Sequence, residues 1–298
     1  MMRTPLRAGS IQPCHHGPRG MVTPTKIYRS RLANLLGLQV ARIIVARSLL
    51  LTRRLFFQHE ADQDTATLMR DGIVVIPNFL NQEDFLQVQR EFKAATTQDV
   101  FITKRVLDTA GLMRISCTIS SEKRRAFSRT VRCFLGSDRI ERILSTYDAR
   151  PSLHSVGSTF QLSFWRTERC AVDATSLEAA DHTNTELHSD SFQSVVKFFY
   201  YIDDVEEEDG PHAYIPGSHR LTLWRLLFEY VNSILSMRES PRLPKAGLWS
   251  YGRAPVKQRY PANTLLVADT FGFHQAVLPE SGRGRSIVYL QYRSPPFR

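Results

Sequence analysis

The sequence has few cysteines, and none of them occurs in a pattern typical of disulfide-rich proteins. The 298 residues include no C-x-x-C pair and no N-x-S/T glycosylation sequon, and the four cysteines are widely and irregularly spaced: Cys14, Cys117, Cys133 and Cys170. This spacing argues against the disulfide framework of a small secreted protein. We therefore expect reduced thiols and an intracellular protein.

Acidic residues are missing from the first fifth of the chain. The first one is Glu60, nine arginines precede it, and the whole chain has a formal net charge of +10. The positive charge belongs largely to this leader, and no nucleic-acid-binding motif accompanies it, so we predict no nucleic-acid partner. The composition divides the chain into a basic leader, residues 1–60, and a folded domain, residues 61–298, which is long enough to bury a full core.

The leader itself has two parts. Residues 1–26 are rich in Pro, Gly and Arg without periodicity, which predicts disorder. Residues 27–57 are strongly apolar and free of proline, but Arg42 and Arg47 interrupt them, so no uninterrupted run approaches the roughly 18–20 apolar residues of a membrane span. We expect a basic apolar helix with three possible roles: peripheral contact with an anionic membrane, organelle targeting, or packing against the domain. The protein is then cytoplasmic, peripheral at a membrane, or directed to an organelle.

Beyond Glu60 the pattern changes to helices followed by many short strands. Asn81 is a good N-cap for a helix that continues to about Ala95, because its side chain can accept a backbone N–H of the first turn. Short strands are predicted at 73–76, 152–157, 159–165, 197–202, 212–215, 264–268 and 285–292, an apolar helix at 221–237, and loops at 170–183 and 238–261. This order predicts one α+β domain built on a β-barrel or jelly roll with flanking helices.

An H-x-D triplet supplies the first candidates for chemistry. His188 and Asp190 are two positions apart, so one extended segment directs both side chains to the same side. Two ligands leave a metal site incomplete, and His274 is the third candidate, with His182, His212 and His219 as alternatives. Two histidines and one carboxylate with open positions left over suit non-heme Fe(II) and O2 chemistry.

The triplet opens a longer pattern. After it come a strand, an acidic turn, a second strand and a sharp turn, which read KFFYYI, DDVEEEDG, HAYI and PGSH. With His274 and Arg285, this order resembles the phytanoyl-CoA dioxygenase family of Fe(II)/2-oxoglutarate oxygenases, over roughly residues 71–292. The resemblance implies a double-stranded β-helix (jelly-roll, cupin-like) barrel, with Fe(II) held by His188, Asp190 and His274 and with 2-oxoglutarate and O2 as co-substrates.

The resemblance also implies a reaction. Related halogenases lack the carboxylate at the position of Asp190, so its presence favours hydroxylation of a C–H bond, with release of succinate and CO2. The substrate is not readable: the leader suggests a lipid or a lipid-linked glycan, and the family name suggests an acyl-CoA. The alternative is a non-catalytic or differently metallated barrel that binds a ligand.

Three further residues are candidates for binding the co-substrate. Arg285 follows His274 by 11 positions, as in the family, and a guanidinium can grip the distal carboxylate of 2-oxoglutarate in a bidentate manner. Arg283 competes with it but lies between two glycines, which predicts a turn. Lys197 shares a strand face with Phe199, and we expect it to face a carboxylate from 2-oxoglutarate, the substrate or a neighbouring aspartate. Phe199 completes the proposed co-substrate contacts on this strand.

Overall fold

The computed structural model describes residues 30–56, 61–107, 112–149, 159–169, 186–190, 192, 195–235, 241–243 and 252–293. The predictions for residues 1–26, 152–157 and 170–183 lie outside these ranges. The α-helices are α1 (Arg31–Leu35), α2 (Leu38–Phe56), α3 (Gln63–Asp71), α4 (Gln82–Thr97), α5 (Ser128–Leu135), α6 (Asp138–Asp148) and α7 (Leu223–Leu235). The strands are β1 (Ile73–Ile76), β2 (Lys104–Leu107), β3 (Leu112–Thr118), β4 (Thr159–Arg169), β5 (Val195–Tyr201), β6 (His212–Tyr214), β7 (Val256–Gln258), β8 (Leu265–Asp269), β9 (His274–Ala276) and β10 (Gly284–Arg293).

The strands form two antiparallel sheets. The larger has the order β1-β8-β5-β10-β4-β3-β2, and the smaller has the order β7-β6-β9. From β5 onward the chain crosses repeatedly between the two sheets, at β5 to β6, β7 to β8, β8 to β9 and β9 to β10, and this exchange gives the barrel its two walls. The predicted α+β architecture is confirmed.

The outer face of the large sheet is covered by helices. Side chains alternate between the two faces of a strand, so Phe198 and Tyr200 of β5 point outward into a core with α4, α5 and α6. The ring of Tyr200 meets that of Phe134 edge-on at 5.1 Å. Helix α4 begins as predicted, because the Asn81 side chain accepts the backbone N–H of Asp84 at 2.9 Å. The opposite face of the sheet is therefore left for the interior of the barrel.

The N-terminal helices pack against the domain. Asn34 of α1 donates to the carbonyl of Ser233 in α7 at 3.3 Å. Arg53 of α2 pairs with Asp148 at the end of α6 at 3.3 Å. Of the three roles expected for residues 27–57, packing is the one the structure displays for residues 30–56. The division of the chain into a leader and a domain at residue 60 stays a prediction. Helix α2 lies before this boundary and nevertheless contacts the domain.

None of the helices in the described ranges has the length and apolar character needed to cross a membrane.

Two parts of the sheet arrangement differ from the sequence-based expectation. The β2–β3 hairpin lies within residues 100–123, to which the sequence analysis assigned no element, because the alternation of the hairpin is broken by charged residues on both faces. Strand β7 lies inside the predicted loop 238–261 and pairs with β6. The loop prediction is therefore wrong for Val256–Gln258, since a three-residue edge strand with two exposed positions carries no detectable period.

Candidate metal and co-substrate site

Backbone pairing brings the H-x-D triplet to β9. His188 and His274 exchange both of their backbone hydrogen bonds, each with a donor–acceptor distance of 2.9 Å. The backbone N–H of Asp190 donates to the carbonyl of Thr270 at 3.0 Å. In an antiparallel pair, residues directly opposite each other carry neighbouring side chains. One ligand atom from each of His188, Asp190 and His274 therefore lies within 4.8 Å of the others.

The hydrogen bonds of the two imidazoles fix their tautomers. Nδ1–H of His188 donates to the carbonyl of Glu186 at 2.8 Å, and Nδ1–H of His274 donates to the carbonyl of Gly272 at 3.0 Å. Each ring then presents the lone pair of Nε2, and these atoms lie 3.7 and 3.6 Å from the carboxylate oxygens of Asp190. Such a hydrogen bond to Nδ1 is the usual support of a metal-binding histidine.

The electrostatics of this group of acceptors favour a cation between them. Burial lowers the pKa of His188 to about 3, and His274 adds to the effect. Burial likewise lowers the pKa of His274, against the opposing influence of Asp190. Neutral imidazoles whose lone pairs face a carboxylate repel it unless a cation lies between them, so the residues present fit a divalent metal.

Lys197 lies beside the carboxylate. Its Nζ is 2.6 Å from Oδ2 of Asp190 and 5.9 Å from the centroid of the Tyr289 ring. Burial alone would raise the pKa of Asp190, but His274, Lys197 and Thr270 lower it below the usual range. Of the three partners expected for Lys197, the neighbouring aspartate is the one found in the structure.

The turn between β8 and β9 is anchored from several directions. Asp269, which is fully buried, accepts the hydroxyl of Tyr147 in α6 at 2.6 Å and pairs with Arg47 of α2 at 3.5 Å. Arg225 of α7 donates to the carbonyl of Phe271 at 2.8 Å. The guanidinium groups of Arg47 and Arg225 both lie over the Phe271 ring, at 4.1 and 4.2 Å from its centroid. Helices α2, α6 and α7 thus hold the turn that ends at His274.

Phe199 lies on the inner face as predicted, next to a histidine that the sequence reasoning set aside. Its ring stacks on that of His212 at 4.6 Å. The ring of His212 is in turn 5.4 Å from that of His274. His212 is buried, and its Nε2 has no hydrogen-bond partner among the described residues. It lies close to the triad without belonging to it.

His219, another of the alternatives, lies away from the group. Nε2 of His219 lies 3.1 Å from the carbonyl oxygen of Met69, and this contact joins the PGSH turn to the end of α3. His182 lies outside the described residues.

Arg285 begins the inward-facing row of β10. It lies opposite Thr167 of β4, and burial lowers the pKa of its guanidinium while the nearby Tyr201 raises it. Arg285 is in no ion pair with a carboxylate of the described residues and lines a cavity of about 260 Å³. Arg283 instead pairs with the buried Asp209 at 3.0 Å, just before β10 begins at Gly284.

The family model for phytanoyl-CoA dioxygenase (PhyH) matches residues 68–232 of the chain. The chain belongs to the phytanoyl-CoA dioxygenase family. This membership confirms the resemblance seen in the sequence and assigns the general function of an iron- and 2-oxoglutarate-dependent oxygenase. No curated protein sequence matches the chain significantly.

Solved structures support the fold of this phytanoyl-CoA dioxygenase family member. The epimerase SnoN, in complex with Fe3+, alpha ketoglutarate and nogalamycin RO, has a TM-score of 0.53 at 14% identity, with 78% of this chain and 82% of SnoN covered. EctD from S. alaskensis in its apoform has a TM-score of 0.51 at 12% identity, with 79% of this chain and 77% of EctD covered. The double-stranded β-helix prediction is confirmed. Iron and 2-oxoglutarate are the cofactor and co-substrate of the family, and the group of His188, Asp190 and His274 is suitable for iron.

Several residues that shape this site were not found from the sequence. Arg47, Tyr147 and Arg225 act on the β8–β9 turn from distant positions, and no local pattern links them to it. Arg114 lines the cavity next to Arg285. Its strand was not predicted, so its inward direction could not be predicted either.

Proposed function

We propose that this protein hydroxylates a C–H bond of a small organic substrate, with Fe(II) bound by His188, Asp190 and His274. When bound, iron supplies the activation of O2 that couples oxidation of the substrate to conversion of 2-oxoglutarate into succinate and CO2. Arg285 binds the distal carboxylate of 2-oxoglutarate, and Phe199 packs against the co-substrate. Lys197 keeps Asp190 ionised and oriented, and contacts 2-oxoglutarate from the β5 side.

The observation that carries this proposal is the donor set. Two imidazole Nε2 atoms with fixed tautomers and one carboxylate lie within 4.8 Å of one another. The carboxylate is Asp190, which would occupy one coordination position, and this favours hydroxylation over halogenation. Three protein ligands on one side leave the opposite side for a bidentate oxoacid and O2.

The test is release of succinate by the full chain supplied with Fe(II), 2-oxoglutarate and O2. We expect His188→Ala, Asp190→Ala and His274→Ala each to lose both tight iron binding and turnover, because two remaining ligands cannot hold a labile Fe(II) facially. Iron content and circular dichroism separate loss of metal from loss of fold. His219→Ala, in a histidine whose Nε2 contacts the carbonyl of Met69 instead, is the control, and iron bound equally well by all four variants would refute the ligand assignment.

The alternative, a non-catalytic or differently metallated barrel, makes a different prediction in the same assay. Such a protein would bind a metal through the same three residues but release no succinate with Fe(II) and 2-oxoglutarate. Metal binding that depends on the three residues, without any turnover in the unsubstituted protein, would therefore favour it.

A membrane-associated substrate such as a lipid or lipid-linked glycan is supported by helix α7. Its buried positions are polar, Arg225, Glu229 and Ser233, whereas its most exposed side chains are apolar. A helix normally buries its apolar stripe. In this inverted arrangement the apolar face lies on the outside of the protein, where it is available to a non-aqueous phase such as a lipid bilayer. We define the helical apolar face as the exposed apolar side chains of α7, of α1 and of the residue that caps α1: Leu32, Leu35, Leu36, Leu223, Trp224, Leu227, Val231 and Leu235.

The charges around this face favour an anionic bilayer as its occupant. Helices α1 and α2 contain five arginines and no Asp or Glu. Arg31 is exposed, whereas Arg47 and Arg53 are paired with Asp269 and Asp148. The single carboxylate of α7, Glu229, is buried and paired with Arg225 at 2.9 Å. An apolar surface bordered by cations and free of exposed carboxylates is typical of peripheral membrane binding.

Vesicle co-sedimentation tests this part of the proposal. We expect the full chain to bind vesicles with phosphatidylserine better than vesicles of phosphatidylcholine alone, and Leu223→Gln with Leu227→Gln to abolish the binding. Leu86→Gln, at a leucine of α4 that is 41% exposed, is the matched control. Unchanged vesicle binding in the double variant, or a dimer that the double variant converts to monomer, would contradict the membrane assignment.

A further inference from the structure

The cavity that contains Arg285 adjoins the metal-ligating group. Ala276 forms part of its wall and lies two residues after His274 on β9, so both side chains lie on the same face of that strand, roughly 7 Å apart. A molecule in this cavity can therefore reach the space in front of the triad.

The cavity has an excess of positive charge. Its cationic lining residues are Lys104, Arg114, Arg166 and Arg285. Arg166 is compensated by Glu168 at 2.9 Å. Among the described residues no carboxylate lines the cavity, and none forms an ion pair with Arg114 or Arg285. The nearby Arg114 also acts, after burial, to lower the pKa of Arg285.

Arg114 and Arg285 face the cavity from the same row of the sheet. Thr167 of β4 lies opposite Arg114 on one side and opposite Arg285 on the other. Neighbouring strands are about 4.8 Å apart, so the two Cα atoms are separated by roughly 10 Å, with one threonine between them. One bound carboxylate on Arg285 leaves the second guanidinium without a counter-charge.

The rest of the cavity is apolar. Its lining includes the segment Ala276, Val277, Leu278 and Pro279 and also Trp165. Trp165 is fixed there by stacking on Tyr289, with 4.1 Å between ring centroids. With 2-oxoglutarate on Arg285, the cavity therefore combines two remaining cations, Arg114 and Lys104, with a hydrophobic surface.

This inference rests on the proposed function, in which Arg285 takes the distal carboxylate of 2-oxoglutarate. We infer that the primary substrate is an organic anion, with a carboxylate or phosphate held by Arg114 and an apolar body that lies against Trp165 and the segment 276–279. Arg114 is thus a residue that selects the substrate, and Arg285 one that selects the co-substrate.

Equilibrium binding tests this assignment without depending on turnover. The full chain is loaded with Fe(II) and 2-oxoglutarate under exclusion of O2 and titrated calorimetrically with octanoate, octyl phosphate and octanol. We expect at least one of the two anions to bind more tightly than octanol. Arg114→Met, which keeps an apolar stem, should weaken that anion about 10- to 100-fold and leave the affinity for 2-oxoglutarate unchanged.

Two further variants keep the test decisive. Arg114→Lys retains the charge and should recover part of the anion affinity, which a purely structural role of the guanidinium would not predict. Arg166→Met, at a surface residue already paired with Glu168, should change anion binding less than about threefold.

The inference is overturned if both anions bind no better than octanol, or if Arg114→Met weakens 2-oxoglutarate as much as it weakens the anion. The second result would make Arg114 part of the co-substrate clamp. Release of succinate by the unsubstituted protein is measured separately. Its absence would reject the proposed function, whereas tight anion binding that needs Arg114 would still stand.

Discussion

Replacement of Arg47, which lies in α2, by methionine is expected to lower the stability of the folded domain. The guanidinium lies 3.5 Å from the fully buried carboxylate of Asp269. Breaking a buried ion pair costs about 3–5 kcal/mol. Asp269 keeps the hydroxyl of Tyr147 at 2.6 Å and the N–H of Phe271 at 3.0 Å. Because these two bonds still compensate the charge, we expect the lower end, a loss of about 3 kcal/mol in the free energy of unfolding.

Thermal denaturation measures this effect. One kcal/mol shifts the Tm of a domain of 150–250 residues by about 2–4 °C, so Arg47→Met should lower the Tm by roughly 6–12 °C. Arg31→Met, at an exposed arginine of α1, is the control and should change stability by less than about 0.5 kcal/mol. Equal melting of Arg47→Met and the control would refute the view that α2 supports the β8–β9 turn.

The same pair predicts a dependence on pH. Burial would raise the pKa of Asp269, but Arg47, His219 and Tyr147 lower it below the ordinary value. A carboxyl group with a lowered pKa in the folded state contributes stability above its unfolded pKa of about 3.9 and loses it as the pH falls through the folded pKa. The stability difference between the unsubstituted protein and Arg47→Met should therefore be full near neutral pH and shrink in acid. A difference that grows as the pH falls would contradict the ion pair as its source.

Two other substitutions have defined outcomes. Arg285→Ala should raise the Km for 2-oxoglutarate on the order of 10²-fold, because a charged hydrogen bond is worth about 1.5–3 kcal/mol and each 1.4 kcal/mol is tenfold. Arg283→Ala, at an arginine paired with Asp209, should change this Km little. The reverse order of the two effects would place the clamp two residues earlier. Gly272→Ala should lower both the Tm and the iron affinity, since its Cβ would overlap the hydroxyl of Tyr214. A variant that melts and binds iron like the unsubstituted protein would show that the turn can relax.

The parts of the site that share a local pattern were predictable from the sequence. His188 and Asp190 are separated by one residue, and an extended segment is enough to direct them together. His274 could be predicted as the third ligand only from the order of motifs along the chain. Local physical arguments were not enough, because the backbone pairing that joins His274 to His188 depends on the whole barrel. The strand register of Arg285 followed from the alternation along β10, whose inward row is continued by Ile287 and Tyr289.

The parts that depend on contacts between distant residues were not predictable. Arg47 and Asp269 are 222 positions apart, and each is an ordinary charged residue in its own segment. The composition of residues 30–56 is equally compatible with a membrane-surface helix and with a packed one, so only the partners of Arg47 and Arg53 distinguish them. Arg114 lies on a strand with interrupted alternation, which concealed both the strand and the direction of the side chain.

The mutual backbone hydrogen bonds of His188 and His274 have a consequence for how the protein acquires its metal. In many metal sites the ion itself draws the ligands together, and folding energy and binding energy are then the same quantity. Here backbone hydrogen bonds, rather than the ion, join His188 to His274, so we expect a chain that has lost its iron to keep these two ligands in place. We then expect metal loading to follow folding and to be repeatable, so that an enzyme emptied by chelation or oxidation can be refilled without refolding.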